Sequence, residues 1–305
     1  MCHLIYTDTF YMKRKWIRWV SWILLTPIIL FVILMVLLYV PPVQNLLRRE
    51  VTAYASKATG MQIQVERIDL RFPLNLLVRG VEVIQQPDTL LSLESLNVRV
   101  QAWPLIKGKV EVDEVTLSQV AVNSANLMEG MKIKGVLGRF FLQSHGVDLS
   151  NEIAIINQAE LSDTHVQLLM NDTTTTPKDT TTSAPVNWKV DLHQLKLKNV
   201  SFSMQLPADS MRMAAHIGEA AIDDAQADLK NQFYGLKKFL LSGTSVSYDT
   251  GTAQPIEGFD ASHIAVRDVR IALDSLLYKG RDMNAVIREF TMNERSGLSV
   301  ISLTG

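Results

Sequence analysis

The histidines are the side chains best suited to acid–base or metal chemistry, but no two of them are three or four residues apart. The only cysteine, Cys2, has no partner for a disulfide or a thiolate metal site. Gly130 and Gly135 have the spacing of a phosphate loop, although Val136 stands where a lysine is needed, and HExxH, GxSxG and GxGxxG motifs are absent. The sequence therefore predicts no catalytic, cofactor or metal site and no enzyme. The six histidines are His3, His145, His165, His193, His216 and His263.

Charged residues give no further indication of chemistry. The acid pairs Asp113–Glu114 and Asp223–Asp224 are adjacent, and neighbours on a strand point to opposite faces, so we expect them to be solvated or to form β-bulges. A net charge of −1 and a pI near 6.6 exclude an electrostatic footprint for nucleic acid. One loose basic region is either a solvated face or a contact for anionic headgroups. It comprises Lys107, Lys109, Lys132, Lys134 and Arg139.

An apolar run from Val20 to Val40 predicts a transmembrane helix. Twenty-one residues at about 1.5 Å each span about 31 Å, which matches a hydrocarbon core of about 30 Å. Pro27 is tolerable near one end of such a helix. Aromatic side chains mark both boundaries, as interfacial anchors do. These anchors are Trp16, Trp19, Trp22 and Tyr39.

A cleaved signal peptide is the alternative interpretation of this run. The run is longer than a signal peptide requires and ends in Tyr39-Val40-Pro41-Pro42, a poor cleavage site, so we favour a retained anchor. Basic residues between Lys13 and Arg18 place residues 1–19 in the cytoplasm and the bulk of the chain on the far side, although Arg48 and Arg49 weaken that asymmetry. Residues 1–11 read as an extension before a more natural start at Met12.

Segment 41–59 has apolar residues at helical spacing, and Gly60 is placed to end the helix. This juxtamembrane amphipathic helix either lies in the far-side membrane interface or packs against the first strand.

From residue 60 the apolar period changes to two, which predicts strands with one buried face. Segments 60–170 and 187–305 carry this pattern, with 211–230 open to a helical alternative because it is rich in alanine. Between them, the Thr/Pro-rich segment 171–186 has too few large apolar side chains to offset its ordering entropy, which predicts a linker loop. That loop is either unmodified or O-glycosylated.

A degenerate repeat places apolar residues at offsets 0, 3, 5 and 10 and a polar residue at offset 7. Because 3 and 5 are odd and 10 is even, the inward face must change phase at the polar position, as at a β-bulge. The spacing of the copies varies, which argues against a fixed-period solenoid and favours long bent strands in one extended sheet. The run ends at Gly305 without a cap, so we expect a longer protein. The five polar positions are Gln119, Asp163, Asn199, Asp224 and Asp268.

The anchor, the short helix and the strands up to about residue 123 resemble the start of the TamB branch of the AsmA-like family. The shared features are a V-x-R-I strand, a G-V-x-V strand, an L-x-S-L-x-V strand and the segment WPLIKGKVEVDEVTL from Trp103 to Leu117. The resemblance implies a mainly β fold: an N-terminal transmembrane helix followed by an elongated, taco-like β-groove of long bent antiparallel strands. It further implies a single-pass protein of the bacterial inner membrane with its bulk in the periplasm.

The function that this resemblance implies is outer-membrane biogenesis, either by an apolar conduit for phospholipid acyl chains between the two membranes or by assisting outer-membrane protein assembly. The family's outer-membrane barrel partner binds a C-terminal domain that this sequence does not include. A non-conducting membrane-anchored scaffold or adhesin is the alternative, because alternation alone does not separate an open trough from a closed sandwich. The candidate lining residues are Ile63, Val65, Val81, Val83, Leu91, Leu93, Val98, Val100, Val110 and Val112.

Overall fold

In the parts that the computed structural model describes, the chain forms one long α-helix, a short 3-10 helix at Pro207–Asp209 and one curved, open sheet of twelve strands. Those parts are residues 40–71, 74–85, 88–101, 103–104, 111–128, 130–148, 151–170, 187–251 and 254–305. The mainly β class predicted from the sequence is confirmed. The elements are α1 Pro41–Thr59, β1 Gln62–Arg71, β2 Asn75–Gln85, β3 Asp88–Val100, β4 Val112–Met128, β5 Met131–Asp148, β6 Ile153–Met170, β7 Lys189–Leu206, β8 Met211–Asp228, β9 Phe233–Asp249, β10 His263–Lys279, β11 Asp282–Glu294 and β12 Ser299–Leu303.

The strands pair in chain order from β1 to β12. Every pair is antiparallel except β6 with β7, which run parallel, and we call this pair the parallel seam. The prediction of a wholly antiparallel groove is therefore wrong at the parallel seam. A parallel pair needs a connection that returns along the strand. β6 is 18 residues long, about 59 Å at 3.3 Å per residue. Residues 171–188 can reach about 60 Å, so this connection is long enough to return.

Ten of the strands cover segments whose alternation is visible in the sequence, whereas β5 and β11 lie within the predicted β segments but were not identified as individual strands. β5 contains Gly135 and Gly138, and its apolar residues change phase between Leu137 and Phe140, which hides the period of two. The alanine-rich segment is a strand, β8, and not a helix. Its backbone pairs with β7 on one side and β9 on the other, and this tertiary context overrides its helical propensity.

The predicted change of phase is present at all five polar positions of the repeat, each of which has a φ between 50° and 53°. Around Gln119, for example, Leu117 and Val120 lie on the same face of the sheet although they are three residues apart. In a regular strand, side chains on the same face are two residues apart. Left-handed backbone is uncommon for residues other than glycine, and Asn and Asp adopt it most readily. The polar residue types of the repeat are therefore explained by backbone conformation.

Four of the five positions fall on one line across the sheet, which we call the bend level. From β1 to β8, each strand leaves one residue out of the ladder at this level, opposite the residue its neighbour leaves out, and the register continues without a shift. The phase change therefore runs through neighbouring strands together, whereas a bulge in a single strand would add one residue to that strand alone. The bend level comprises Glu66, Gly80, Glu94, Gln119, Gly138, Asp163, Asn199, Gly218, Gly243 and Asp268.

Helix α1 lies along the outer edge of β1 and contacts it through polar side chains. Arg48 donates from Nη1 to the carbonyl of Glu66 at 2.8 Å, Gln44 donates from Nε2 to the carbonyl of Leu70 at 3.2 Å, and the Ser56 hydroxyl accepts from the Ile63 amide at 3.0 Å. These bonds satisfy backbone groups that an edge strand otherwise leaves open.

The helix ends at Gly60, whose φ is 69°, as the sequence predicts. Within the described residues, no helix has the length and apolar character to cross a membrane. Segment 20–40 lies outside the described residues except for Val40, as do the anchors Trp16, Trp19, Trp22 and Tyr39.

The close packing at the glycines of the bend level can be tested by substitution with alanine. A Cβ on Gly138 would lie 2.7 Å from the Asp163 Cβ and 3.0 Å from its carbonyl oxygen, whereas a Cβ on Gly135 would meet nothing closer than 3.3 Å. We expect Gly138→Ala to lower the free energy of unfolding by about 2 kcal/mol or more, because the obstructing atoms are near the backbone. The matched variant Gly135→Ala should stay within about 1 kcal/mol of the native protein. Urea unfolding measures both, and equal effects would contradict the close approach.

Candidate functional site

One row of apolar side chains crosses all twelve strands in unbroken register. Each member pairs directly with the next, so their side chains share one face of the sheet. We call this the central apolar row, and it runs beside the bend level. It comprises Ile68, Val78, Leu96, Leu117, Phe140, Leu161, Leu197, Ala220, Leu241, Ile271, Phe290 and Leu303.

Further apolar rows flank the central row on both sides. A second row runs on one side from Leu70 to Ile287 through eleven strands, again with only apolar members. Beyond the bend level, a third row runs from Ile63 to Val266 through ten strands, with Gly135 as its smallest member. Because the phase changes at the same level in neighbouring strands, these rows form one apolar face across the bend.

This face has no covering layer within the described residues. The main contacts of each strand are with its neighbours in the sheet, and those of α1 are with β1. Phe202 is 39% exposed and Val246 is 40% exposed, although both belong to the apolar rows. A closed sandwich would bury such side chains almost completely. Among the described residues, the arrangement is therefore an open sheet and not a two-layer core.

Nine of the ten lining residues proposed from the sequence lie on this face. Ile63, Val83 and Leu91 pair in succession, as do Val65, Val81 and Leu93 on the adjacent row. Val98 belongs to the second row, and Val100 pairs with Val112. Val110 lies outside the described residues. The same register places their polar neighbours, such as Glu82 and Arg99, on the opposite face.

Most of the apolar face was missed from the sequence, because the candidate residues came only from the first four strands. The signal was nevertheless present in the repeat. Its offset-5 residues Leu117, Leu161 and Leu197 are members of the central apolar row. Extending the lining list to every copy of the repeat would have found them.

The opposite face carries charged and hydroxyl side chains, several of them paired. Arg99 forms an ion pair with Glu114 at 3.1 Å. Asp224, the fifth left-handed polar residue, lies on a separate level, where its carboxylate contacts His193 Nδ1 at 3.1 Å and Lys237 Nζ at 3.1 Å. These two hydrogen bonds, that of His193 first, hold the pKa of the Asp224 carboxyl below its ordinary value. Asp224 has a φ of 50°, and the register continues across it, so it changes the phase of β8 without forming the β-bulge that was one of the two expectations for it.

A buried carboxylate fixes the loop between β9 and β10. Asp260 accepts hydrogen bonds from the backbone amides of Ser262 at 2.9 Å and Ile256 at 3.2 Å, and it contacts His263 Nδ1 at 2.9 Å. Asp260 and His263 are both buried. The two amide bonds hold the pKa of the Asp260 carboxyl below its ordinary value, and His263 adds to the effect. This arrangement braces the end of the sheet and presents no reacting centre.

The histidines remain apart from any metal-like cluster: among the residues described, no group of three or more His, Cys, Asp or Glu side chains could hold an ion. The structure does bring His165 and His216 to the same level of the polar face, on either side of Ser201. Their sequence spacing gave no sign of this. Gly135 and Val136, the residues of the rejected phosphate-loop spacing, lie within strand β5.

Comparison with models of known protein families and with curated proteins found no match.

The hydrogen bonds of the Asp260 carboxylate predict that the stability of the fold depends on pH. Because the pKa of Asp260 is depressed in the folded state, its contribution is present above the unfolded pKa of about 3.9 and is lost as pH falls through the lower folded value. We expect Asp260→Asn to lower the thermal midpoint at pH 7, with the difference from the native protein shrinking below about pH 4. The control Glu257→Gln alters an exposed carboxylate of the same loop and should change the midpoint little at pH 7. A difference independent of pH would contradict this origin.

Proposed function

We propose that this chain is a membrane-tethered β-groove protein whose apolar face carries phospholipid acyl chains in outer-membrane biogenesis, as in the TamB/AsmA-like proteins that its first strands resemble. The observation that carries the proposal is the central apolar row, which runs unbroken through twelve strands without a covering layer in the described residues. An apolar face of this extent normally marks a binding surface in a soluble domain.

The energetics favour such a role. A 16-carbon acyl chain costs about 12 kcal/mol in water, at about 0.8 kcal/mol per methylene. A face that offers apolar contact at every strand removes most of this cost along its whole length. Twelve strands at about 4.8 Å spacing give a path of about 53 Å from the first strand to the last. No covalent chemistry is needed, which agrees with the expectation that the chain is not an enzyme.

The position of α1 supports a tether at the β1 edge. Polar side chains of α1 contact β1, whereas three of its large apolar side chains are exposed: Leu46 is 57% exposed, Val51 44% and Tyr54 77%. Such a helix suits the interface of a bilayer that residues 20–40 are predicted to cross. The groove would then begin beside the inner membrane and extend into the periplasm. Its outer-membrane barrel partner would act through a further domain.

A non-conducting, membrane-anchored scaffold is the second candidate. The long paired strands and the braced loops would serve it equally well. The two functions differ in one property: a scaffold does not require lipid on the apolar face. The following experiments address that property.

The first test is photo-crosslinking of lipid in cells. A photoreactive amino acid replaces Val83, Val98 or Val112 on the apolar face, and in matched variants it replaces Glu82 or Arg99 on the polar face. We expect phospholipid adducts, detected by mass spectrometry, at the first three positions and not at the last two. Absence of adducts at all five positions would favour the scaffold.

The second test adds a charge to the groove. Val122 pairs with Leu91 on the apolar face, whereas its neighbour Asn123 is exposed on the polar face and pairs with Lys134. We expect Val122→Asp to reduce the phospholipid that co-purifies with the full chain by about tenfold, because acyl chains avoid an unpaired carboxylate. Asn123→Asp should leave it unchanged.

Circular dichroism of both variants completes this test, since an open face should tolerate the charge without loss of the fold. Unfolding of Val122→Asp would point to a closed core and against the groove.

A further inference from the structure

The polar face of the sheet contains two adjoining depressions beside the bend level. The larger, of about 440 Å³, extends from β6 to β10, and the smaller, of about 330 Å³, lies over β5 to β7. They meet at Gln167 and Ser203, which line both. We call the combined depression the polar trough.

The depth of the trough follows from the residue types that line it. On each of five strands, three consecutive residues line the larger depression. In each trio the middle residue, such as Ala215 or Val246, belongs to an apolar row and offers only backbone to this face. The outer two of each trio supply the side chains, and many are serine or alanine, among them Ser201, Ser245 and Ser247. Small side chains over several adjacent strands leave the space that forms the trough.

The charges of the trough are all of one sign. Lys132 and Lys134 line its β5 end, Arg267 lines its β10 end, and no carboxylate lines either depression. None of these three cations forms an ion pair with a residue that the structure describes. The carboxylates of Asp163 and Asp268, at the bend level beside the trough, each accept a hydrogen bond from an asparagine amide, at 2.8 and 3.3 Å.

Between the cations the trough presents further hydrogen-bonding groups. His165 Nδ1 and the Ser201 hydroxyl are hydrogen bonded at 2.5 Å, and His216, Gln167 and Ser245 line the trough around them. Five strand spacings of about 4.8 Å put the lysines about 24 Å from Arg267. No tyrosine or tryptophan lines the trough, and Phe202 belongs to an apolar row of the opposite face, so the histidines are the only rings that face it.

We propose that the polar trough binds an anionic oligosaccharide. Hydroxyl groups of the sugar exchange hydrogen bonds with the serine, glutamine and histidine side chains, and acidic groups of the sugar bind the lysines at one end and Arg267 at the other. The site is separate from the apolar face and does not depend on what that face carries.

The test is titration calorimetry on the full chain in a non-ionic detergent, with oligogalacturonate as the probe. A neutral malto-oligosaccharide of equal length and inorganic phosphate are the comparison ligands. We expect oligogalacturonate to bind, with an affinity that falls as salt rises, and the neutral sugar and phosphate to bind at least about tenfold more weakly. A disaccharide reaches only one end of the trough and should bind more weakly than an octasaccharide.

Variants inside and outside the polar trough test whether the sugar binds there. The double variant Lys132→Ala/Lys134→Ala and the single variant Arg267→Ala should each weaken octasaccharide binding by about tenfold. The control Lys196→Ala/Lys198→Ala removes two exposed lysines of the same face on the other side of the bend level and should leave the affinity within about twofold.

All the replaced side chains are exposed, so the fold should persist, and circular dichroism checks this. Equal losses in the control, equal binding of the neutral sugar, tighter binding of an acidic peptide or of single-stranded DNA, or no binding of the probe would each overturn the proposal.

Discussion

The structure depends on a single backbone constraint: neighbouring strands must change the phase of their side chains at the same level. Long strands of strict alternation would twist and could not bend together without breaking the ladder. In strands β1–β10 one residue leaves the ladder at this level, and in several strands that residue has left-handed backbone. The two halves of each of these strands therefore keep their apolar residues on one face. Without this coincidence, the central apolar row and the third row beyond the bend level would lie on opposite faces of the sheet.

The constraint explains residue choices that have no other evident function. Gly138 and Gly218 face residues of the bend level whose backbone comes too close for a side chain. Asp163 and Asn199 occupy left-handed positions and hydrogen bond to each other at 2.8 Å across the parallel seam. The conformation of the backbone therefore accounts for the polar side chains at these positions.

Much of the fold could be predicted from the sequence, because alternation and the phase change are local signals. The strand identity of nine segments (ten with β8, which was left open to a helix), the end of α1 at Gly60 and the positions of the phase change all follow from spacing within a few residues. The parallel seam could not be predicted, since nothing in residues 171–186 specifies the direction in which the next strand pairs. Strand β5 was missed because its glycines and phase change hide the period.

The candidate site was predicted in part for the same reason. The lining residues of the first four strands were found from alternation, but the rows that continue through β12 depend on register, which a single sequence does not give. The polar side of α1 against β1 was likewise unexpected. The spacing of apolar residues in α1 suggests packing through apolar side chains. In the structure, carbonyl groups of the edge strand β1 instead accept hydrogen bonds from polar side chains such as Arg48.

The parallel seam also divides the molecule into two cohesive parts. Strands β1–β6 and β7–β12 are two meanders in which each strand closes on its predecessor through a turn or a loop. Every residue pair of the seam is 36 positions apart, as in the pairing of Ile153 with Lys189, whereas an antiparallel ladder can begin at a pair beside its turn, such as Met128 with Met131. Closing a loop of 36 residues costs about 2 kcal/mol more than closing a four-residue hairpin. A nick in this connection would leave the connections within both meanders intact and would cut only the covalent link across the seam.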